Sequence, residues 1–442
     1  MSSGLIYNIK QLVNTRGESH VLRGAALADL PCMDNAWIHV EDDRIAAYGT
    51  MSALPRDLRL LIDNDSTGET GDASTRAIDA GGRFILPAWC DSHTHLVYAG
   101  SREAEFVDKL RGLSYAEIAA RGGGILNSAR QLADATEDSL FNAAWQRLQE
   151  LARLGTGAVE IKSGYGLTVE GELKMLRVIK KLKEKSPLTI RATFLGAHTY
   201  PPAYKDDADH QAYIDLIIRD MLPVIAREGL ADYIDVFCEE GFFNVAETEQ
   251  ILRAGMGYGL KPKIHANQLH LSGGVETGVR LGALSVDHLE TMDASAIAAL
   301  AGSDTIGTLL PTAAFFLRMP FQPARDLLDA GCAIALASDY NPGSSPSGNM
   351  NLVVAMSCIQ MRLLPEEAIN AATVNGAYAM SLGHELGSIT AGKKANLIIT
   401  RPLSSLAYLP YAFGSDLIDQ VMIGGEFIHD RPLTRKPVNT GT

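Results

Sequence analysis

Cysteine is scarce: five in 442 residues (Cys32, Cys90, Cys238, Cys332 and Cys358), odd in number and far apart. That excludes a disulfide framework and a CxxC zinc site, and it suits a reducing compartment. Basic charge is also short. Lys plus Arg number 39 against 52 Asp plus Glu, a net charge of −13, and basic runs stop at pairs such as Lys180-Lys181 and Lys393-Lys394. Such a chain is repelled by nucleic-acid phosphates and anionic lipid, so neither is expected as a partner. No apolar run approaches the roughly 18 residues of a membrane span. The opening Met1 to Asn14 lacks the basic-then-apolar layout of a signal peptide, and a cytoplasmic protein is expected. What is abundant is ordinary: hydrophobic residues at 46% and charged residues at 21% describe a globular chain with a large core.

The two ends read differently from the middle. Ala36 to Val40 and Arg44 to Tyr48 form short strands around the acidic turn Glu41-Asp42-Asp43, and Ala395 to Thr400 and Gln420 to Ile428 give a strand and a hairpin. Asp63 to Ala80, rich in Ser, Thr, Gly and Asp, reads as a loop. Each terminal segment alone buries too little, so residues 1–86 and 383–442 are expected to form one composite β domain. Between them, short apolar runs alternate with helical periods. In Asp138 to Leu154, for example, Phe141, Ala144, Trp145, Leu148, Leu151 and Ala152 share a face, and Gly155 stops the helix. Eight candidate strands emerge: Ala88–Val97, Gly157–Lys162, Thr189–Ala197, Tyr233–Glu239, Pro262–Ala266, Ala283–Leu289, Thr305–Leu310 and Cys332–Ser338. The expected class is α/β, with a distorted (β/α)8 TIM-like barrel over 87–382.

Polar residues cluster at the ends of those strands: His93, His95, Lys162, His198, Glu240, His265, His288 and Asp339. A barrel gathers that face into one site. His93 and His95, two apart on a strand, share a face. With His265 and Asp339 they make three imidazoles and a carboxylate, a donor set suited to Zn²⁺, with Fe or Mn possible. By contrast, Arg121-Gly122-Gly123-Gly124 is no phosphate loop, since no Lys-Ser/Thr follows it.

The motif Asp91-Ser92-His93-Thr94-His95, with strand-end His265, His288 and Ser338-Asp339, resembles the metal-dependent amidohydrolase superfamily. The stretches His95 to Glu103, Glu160 to Leu167, Phe194 to His198, Val236 to Glu239, Ser285 to Glu290 and Ser338 to Pro346 narrow the resemblance to its imidazolonepropionase family. The resemblance implies hydrolysis of 4-imidazolone-5-propanoate to N-formimidoyl-L-glutamate, with one Zn²⁺ or Fe ion per subunit on His93, His95, His265 and Asp339. It also implies substrate contacts at Arg102, Tyr165, His198, Gln268, Asn341, Gly343 and Ser344, and a homodimer by analogy. Position 268 is Gln where some members carry Glu, so it cannot serve as a base.

Roles follow from the chemistry. The substrate is a small anion, and Arg102 can fork onto its carboxylate; the blander reading pairs Arg102 with Glu103 or Glu105. Tyr165 lies in a Gly-Tyr-Gly turn that exposes its phenol. His198, as a neutral imidazole, can bond the carboxylate or the ring. Asp339 is expected to carry the water proton to the leaving nitrogen, His288 to bond the water or oxyanion, and Gln268 to orient the ring. Lys162 and Glu240 are expected to pair behind these residues. The rival readings are a deaminase of a purine or pyrimidine ring, which would not need the carboxylate-reading set, and a non-catalytic barrel, which should have lost metal ligands.

Overall fold

The computed structural model describes residues 3–67, 75–113, 117 and 123–428. Its strands, numbered in chain order, begin with β1 (Ser3–Val13), β2 (Cys32–Glu41), β3 (Arg44–Thr50), β4 (Thr75–Asp79) and β5 (Phe84–Pro87). Then come β6 (Trp89–Thr94), β7 (Thr156–Lys162), β8 (Thr189–Ala197), β9 (Tyr233–Cys238), β10 (Lys261–Ala266), β11 (Ser285–His288), β12 (Ile306–Leu309) and β13 (Ile334–Leu336). Three more follow: β14 (Leu397–Thr400), β15 (Ile418–Ile423) and β16 (Glu426–Phe427).

Strands β6 to β13 pair in parallel in strict chain order. All eight expected strands are present, several of them shorter than the apolar runs that announced them. The circle draws shut at its mouth rather than along its length. His95 donates its backbone N–H to Tyr340 (2.9 Å), Asp339 donates to the His93 carbonyl (3.0 Å), and Thr94 bridges Tyr340. The crossover helices bury their apolar stripes on this barrel. The segment Glu137–Arg153 is capped by Thr136, whose hydroxyl accepts from Ser139 N, and its end is turned by Gly155 at φ +96.

The two chain ends share a second sheet in the order β16-β15-β14-β5-β1-β2-β3, with β4 also parallel to β1. The hairpin β2–β3 carries the acidic turn, as expected. The expected loop at Asp63 to Ala80 is corrected: a helix covers Arg56–Thr67 and β4 covers Thr75–Asp79, while 68–74 lie outside the described residues. β4 is held by its pairing with β1, a long-range partner that local composition does not reveal. In the Arg121-to-Gly124 run, positions 121–122 also lie outside the described residues. Among the described residues, no helix is long and apolar enough to cross a membrane.

Candidate active site at the mouth of the barrel

The inward positions of the barrel strands bring together side chains that are far apart in sequence. His93 lies one residue before the end of β6, His95 follows one residue past that strand, and His265 lies near the end of β10. Asp339 sits three residues past β13 at φ +53, a left-handed conformation that costs a non-glycine residue on the order of 1 kcal/mol. His288 closes β11 at φ +88. The expectation that β6 and β13 run on to Val97 and Ser338 is therefore corrected. The chain leaves the ladder early, so that His95 and Asp339 turn inward across the closing seam.

His93 Nε2 and His95 Nε2 lie 3.3 Å apart, His95 Nε2 and His265 Nε2 3.4 Å, and Asp339 Oδ1 is 3.5 Å from His93 Nε2 and 3.7 Å from His95 Nε2. Ligands about 2.1 Å from a tetrahedral centre are separated by about 3.4 Å. His93 Nδ1 is 2.7 Å from Asp287 Oδ2, and His265 Nδ1 is 3.0 Å from Asp235 Oδ2. The first is a hydrogen bond and the second a close approach without hydrogen-bond alignment. With Nδ1 of both rings turned to a carboxylate, the Nε2 lone pairs face one another and Asp339, an arrangement that a cation relieves. Burial holds His93 and His95 well below the ordinary imidazole range, which keeps both as neutral donors. The His/Asp cluster suits a metal ion.

Beneath the His/Asp cluster lies a layer of charge of which only Lys162 was expected; Glu160, Asp235, Lys263 and Asp287 were missed. Glu160, Lys162, Asp235, Lys263 and Asp287 are fully buried on β7, β9, β10 and β11. Lys162 Nζ donates to Glu160 (2.7 Å) and Asp235 (2.8 Å) and lies 3.4 Å from Asp287, while Lys263 pairs with the other Glu160 oxygen. Burial works against the Lys162 charge, but Asp235, Glu160 and Asp287 outweigh it and raise its pKa. The signal was available: in each strand these residues alternate with apolar ones at period two, on the side facing the barrel axis.

Above the His/Asp cluster opens a cavity of about 600 Å³ lined by every residue expected to touch substrate, with His95, His265, His288 and Asp339 at its base. Arg102 combines its two readings. Its Nε donates to Glu105 (2.9 Å), yet the side chain is largely buried and its guanidinium edge lies against Gly343, whose added Cβ would meet Nη1. Glu105 is itself held by Gly124 N and Asn127 Nδ2.

The Tyr165 phenol is not exposed to solvent as expected. It is buried in the cavity wall beside His95 and His198, because Glu172 accepts from Gly164 N, Gly166 N and Leu167 N and folds the turn inward. His198 stacks on His95 with centroids 5.2 Å apart, its Nδ1 is bonded to the Gly164 carbonyl (3.0 Å), and burial lowers its pKa to about 3. The Asn341 amide is used within the loop: its oxygen accepts from Gly343 N and Ser344 N, and its nitrogen donates to the Asp339 carbonyl. Ser344 Oγ donates to Asp339 Oδ2 (3.0 Å).

The expected pairing role of Glu240 is corrected, because Glu240 is exposed and its neighbour Glu239 does that work. Glu239 accepts from Leu269 N, His270 N and His270 Nδ1, and so braces the loop that carries Gln268. Glu290, also missed, lies 3.5 Å from His288 Nδ1 and accepts from Gln322 Nε2. Burial works against charge on His288, but the Glu290 carboxylate outweighs it and raises the pKa.

Comparison with known proteins agrees with this geometry. The Amidohydrolase family pattern matches residues 238–428. An imidazolonepropionase of Flavobacterium johnsoniae is 56% identical over 96% of this chain and 99% of its own. The chain belongs to the imidazolonepropionase family. A second such enzyme, from Christiangramia forsetii, is 53% identical over 96% of this chain and 99% of its own. A zinc-bound adenosine deaminase from Xanthomonas campestris shares the fold at TM-score 0.66 and 17% identity, covering 96% of this chain and 92% of that one. The resemblance drawn from the motifs is borne out, and the chain is a hydrolase of the amidohydrolase class.

Proposed function

We propose that the chain opens the ring of 4-imidazolone-5-propanoate to give N-formimidoyl-L-glutamate, using one zinc or iron ion held by His93, His95, His265 and Asp339. The observation that carries this reading is a single cavity with a cation-seeking donor set at its base and Arg102 on its wall, in a chain 56% identical to an imidazolonepropionase. When bound, the ion supplies Lewis-acid chemistry, lowering the pKa of a water and polarising a carbonyl.

The residues divide the remaining work. Arg102 takes the propionate, and Tyr165 and neutral His198 flank the ring. Asp339 takes a proton from the attacking water as the new C–O bond forms. His288 hydrogen-bonds the developing oxyanion. The ring C–N bond then breaks, and Asp339 returns the proton to the departing nitrogen. Gln268 orients the ring without titrating, while Asn341, Gly343 and Ser344 shape the loop beside the opened product.

The reading extends to a cytoplasmic protein with no nucleic-acid partner, supported by five free thiols and a net charge of −13, and, by analogy with the family alone, to a homodimer. It divides the chain into a β unit of 1–86 plus 383–442 and a barrel of 87–382. The test is to add freshly generated imidazolone propionate and follow its ultraviolet absorbance alongside elemental analysis. Loss of absorbance with about one metal per chain is expected. A stable signal from metal-loaded protein would overturn the proposal.

A further inference from the structure

The buried charge beneath the site is arranged around one cation. Lys162 Nζ touches Asp235 Oδ2 at 2.8 Å and Asp287 Oδ2 at 3.4 Å. Those same carboxylate oxygens lie 3.0 Å from His265 Nδ1 and 2.7 Å from His93 Nδ1. Five side chains from five strands thus form one chain of close contacts, imidazole–carboxylate–ammonium–carboxylate–imidazole, with its two ends pointing into the same donor cluster. We propose that Lys162 is a positioning residue for the metal centre, whose single ammonium fixes Asp235 and Asp287 and through them the ring planes of His265 and His93. The proposal rests on the metal reading above and adds a residue that touches no ligand.

The other ammonium is bonded elsewhere. Lys263 pairs with Glu160 and donates to the Ser92 and Ala379 carbonyls, so its charge reaches Asp287 through space but it holds neither aspartate by a hydrogen bond. Without Lys162, the carboxylates of Asp235 and Asp287 would face each other at low dielectric with no cation between them, and mutual repulsion would turn them away. Each turn removes the acceptor that holds an imidazole with Nε2 inward. Asp235 keeps a second tie, accepting from His265 N (3.1 Å), and Asp287 keeps Ser285 Oγ (2.5 Å), so the strands themselves need not move. The defect should therefore concentrate on ring orientation, where metal affinity is sensitive.

The experiment loads metal-free protein with Co²⁺ and reads its visible d–d absorption and its affinity against a competing chelator. Lys162→Met combined with Glu160→Gln is the informative variant. The layer holds three carboxylates and two ammonium groups; the double variant holds two and one, so the net charge is −1 in both. The double variant should bind Co²⁺ about 10–100-fold more weakly, the range for outer-shell partners, with a shifted band. Glu160→Gln alone should leave both readings near the parent. If the double variant does not fold, Lys162→Gln, which keeps a donor but not the charge, should shift the band in the same sense.

A purely structural Lys162 would lower the melting temperature while band and affinity stayed put, and that result overturns the proposal. So does a Glu160→Gln variant that shifts as far as the double one. A parent protein that takes up no Co²⁺ would instead sink the metal reading and carry this proposal down with it.

Discussion

The floor and the rim of the site solve opposite problems. The floor places five charged side chains at zero exposure, which is tolerable only because each finds an opposite partner within hydrogen-bonding reach. The rim keeps donor capacity in reserve. Among the described residues Arg102 gives only its Nε to a protein partner, and the Nη1 edge of its guanidinium lies against Gly343. Residues that satisfy one another make a rigid frame, whereas those left partly unsatisfied can receive a ligand. The floor should therefore govern metal, and the rim should govern substrate.

The largest expected effect tests the floor's upper surface. Chelation, or His265→Ala, should cut turnover by at least about 10³-fold, since the lost Lewis acid is worth several kcal/mol at about 1.4 kcal/mol per tenfold. Zn²⁺ or Fe should restore the chelated protein but not the variant. Steady-state rates with metal analysis decide it, and full turnover by metal-free protein would break the division between floor and rim.

The rim should fail differently. Arg102→Ala removes a charge-assisted partner and should cost about 2–5 kcal/mol of binding, a rise in KM of roughly 30-fold to several thousand-fold. Metal content should not change. A lost metal with an unchanged KM would assign Arg102 to the frame. Gly343→Ala sharpens the point at smaller scale. Its Cβ would fall 2.1 Å from Arg102 Nη1, and the flexible guanidinium can yield more easily than backbone. KM should rise about tenfold, one 1.4 kcal/mol step, with melting temperature unmoved. A fall in melting temperature without a KM change would mean that the loop, not the arginine, feels the methyl group.

The His/Asp cluster was legible in sequence because its members sit where a strand's apolar run stops. His93, His265 and Asp339 each end such a run, and the topology of a barrel does the rest. The floor was harder to read. Lys162 was visible as a strand-end charge, but Asp235, Lys263 and Asp287 lie inside their strands, where a charge ordinarily marks the solvent side. Only closure of the barrel puts that side indoors. The chain-end sheet itself was expected, but two of its strands, β1 and β4, were missed for a similar reason. Asn8, Lys10 and Gln11 interrupt the apolar pattern of β1, and β4 is five residues in a Ser/Thr-rich stretch. Both strands depend on partners that lie far off in the chain, which a local pattern cannot supply. The early exits of β6 and β13 were likewise invisible, since they are set by the seam between Thr94 and Tyr340.

The smallest effect probes the boundary between floor and rim. Gln268 lines the cavity on a loop that Glu239 braces from below. If it only orients the ring, Gln268→Glu should keep the fold and the metal, because the two side chains match in shape. It would add a titratable group beside Asp339 and the attacking water, and like charges raise one another's pKa. The pH–rate profile should then gain a limb or move its acid limb to higher pH, with a modest loss of rate. Gln268→Ala should lose rate while the profile stays in place, since an amide carries no proton to lose. A profile that moves on removal of the amide would mean that Gln268 controls the water rather than the ring. In that case the proton path assigned to Asp339 is wrong, and the water belongs to the rim.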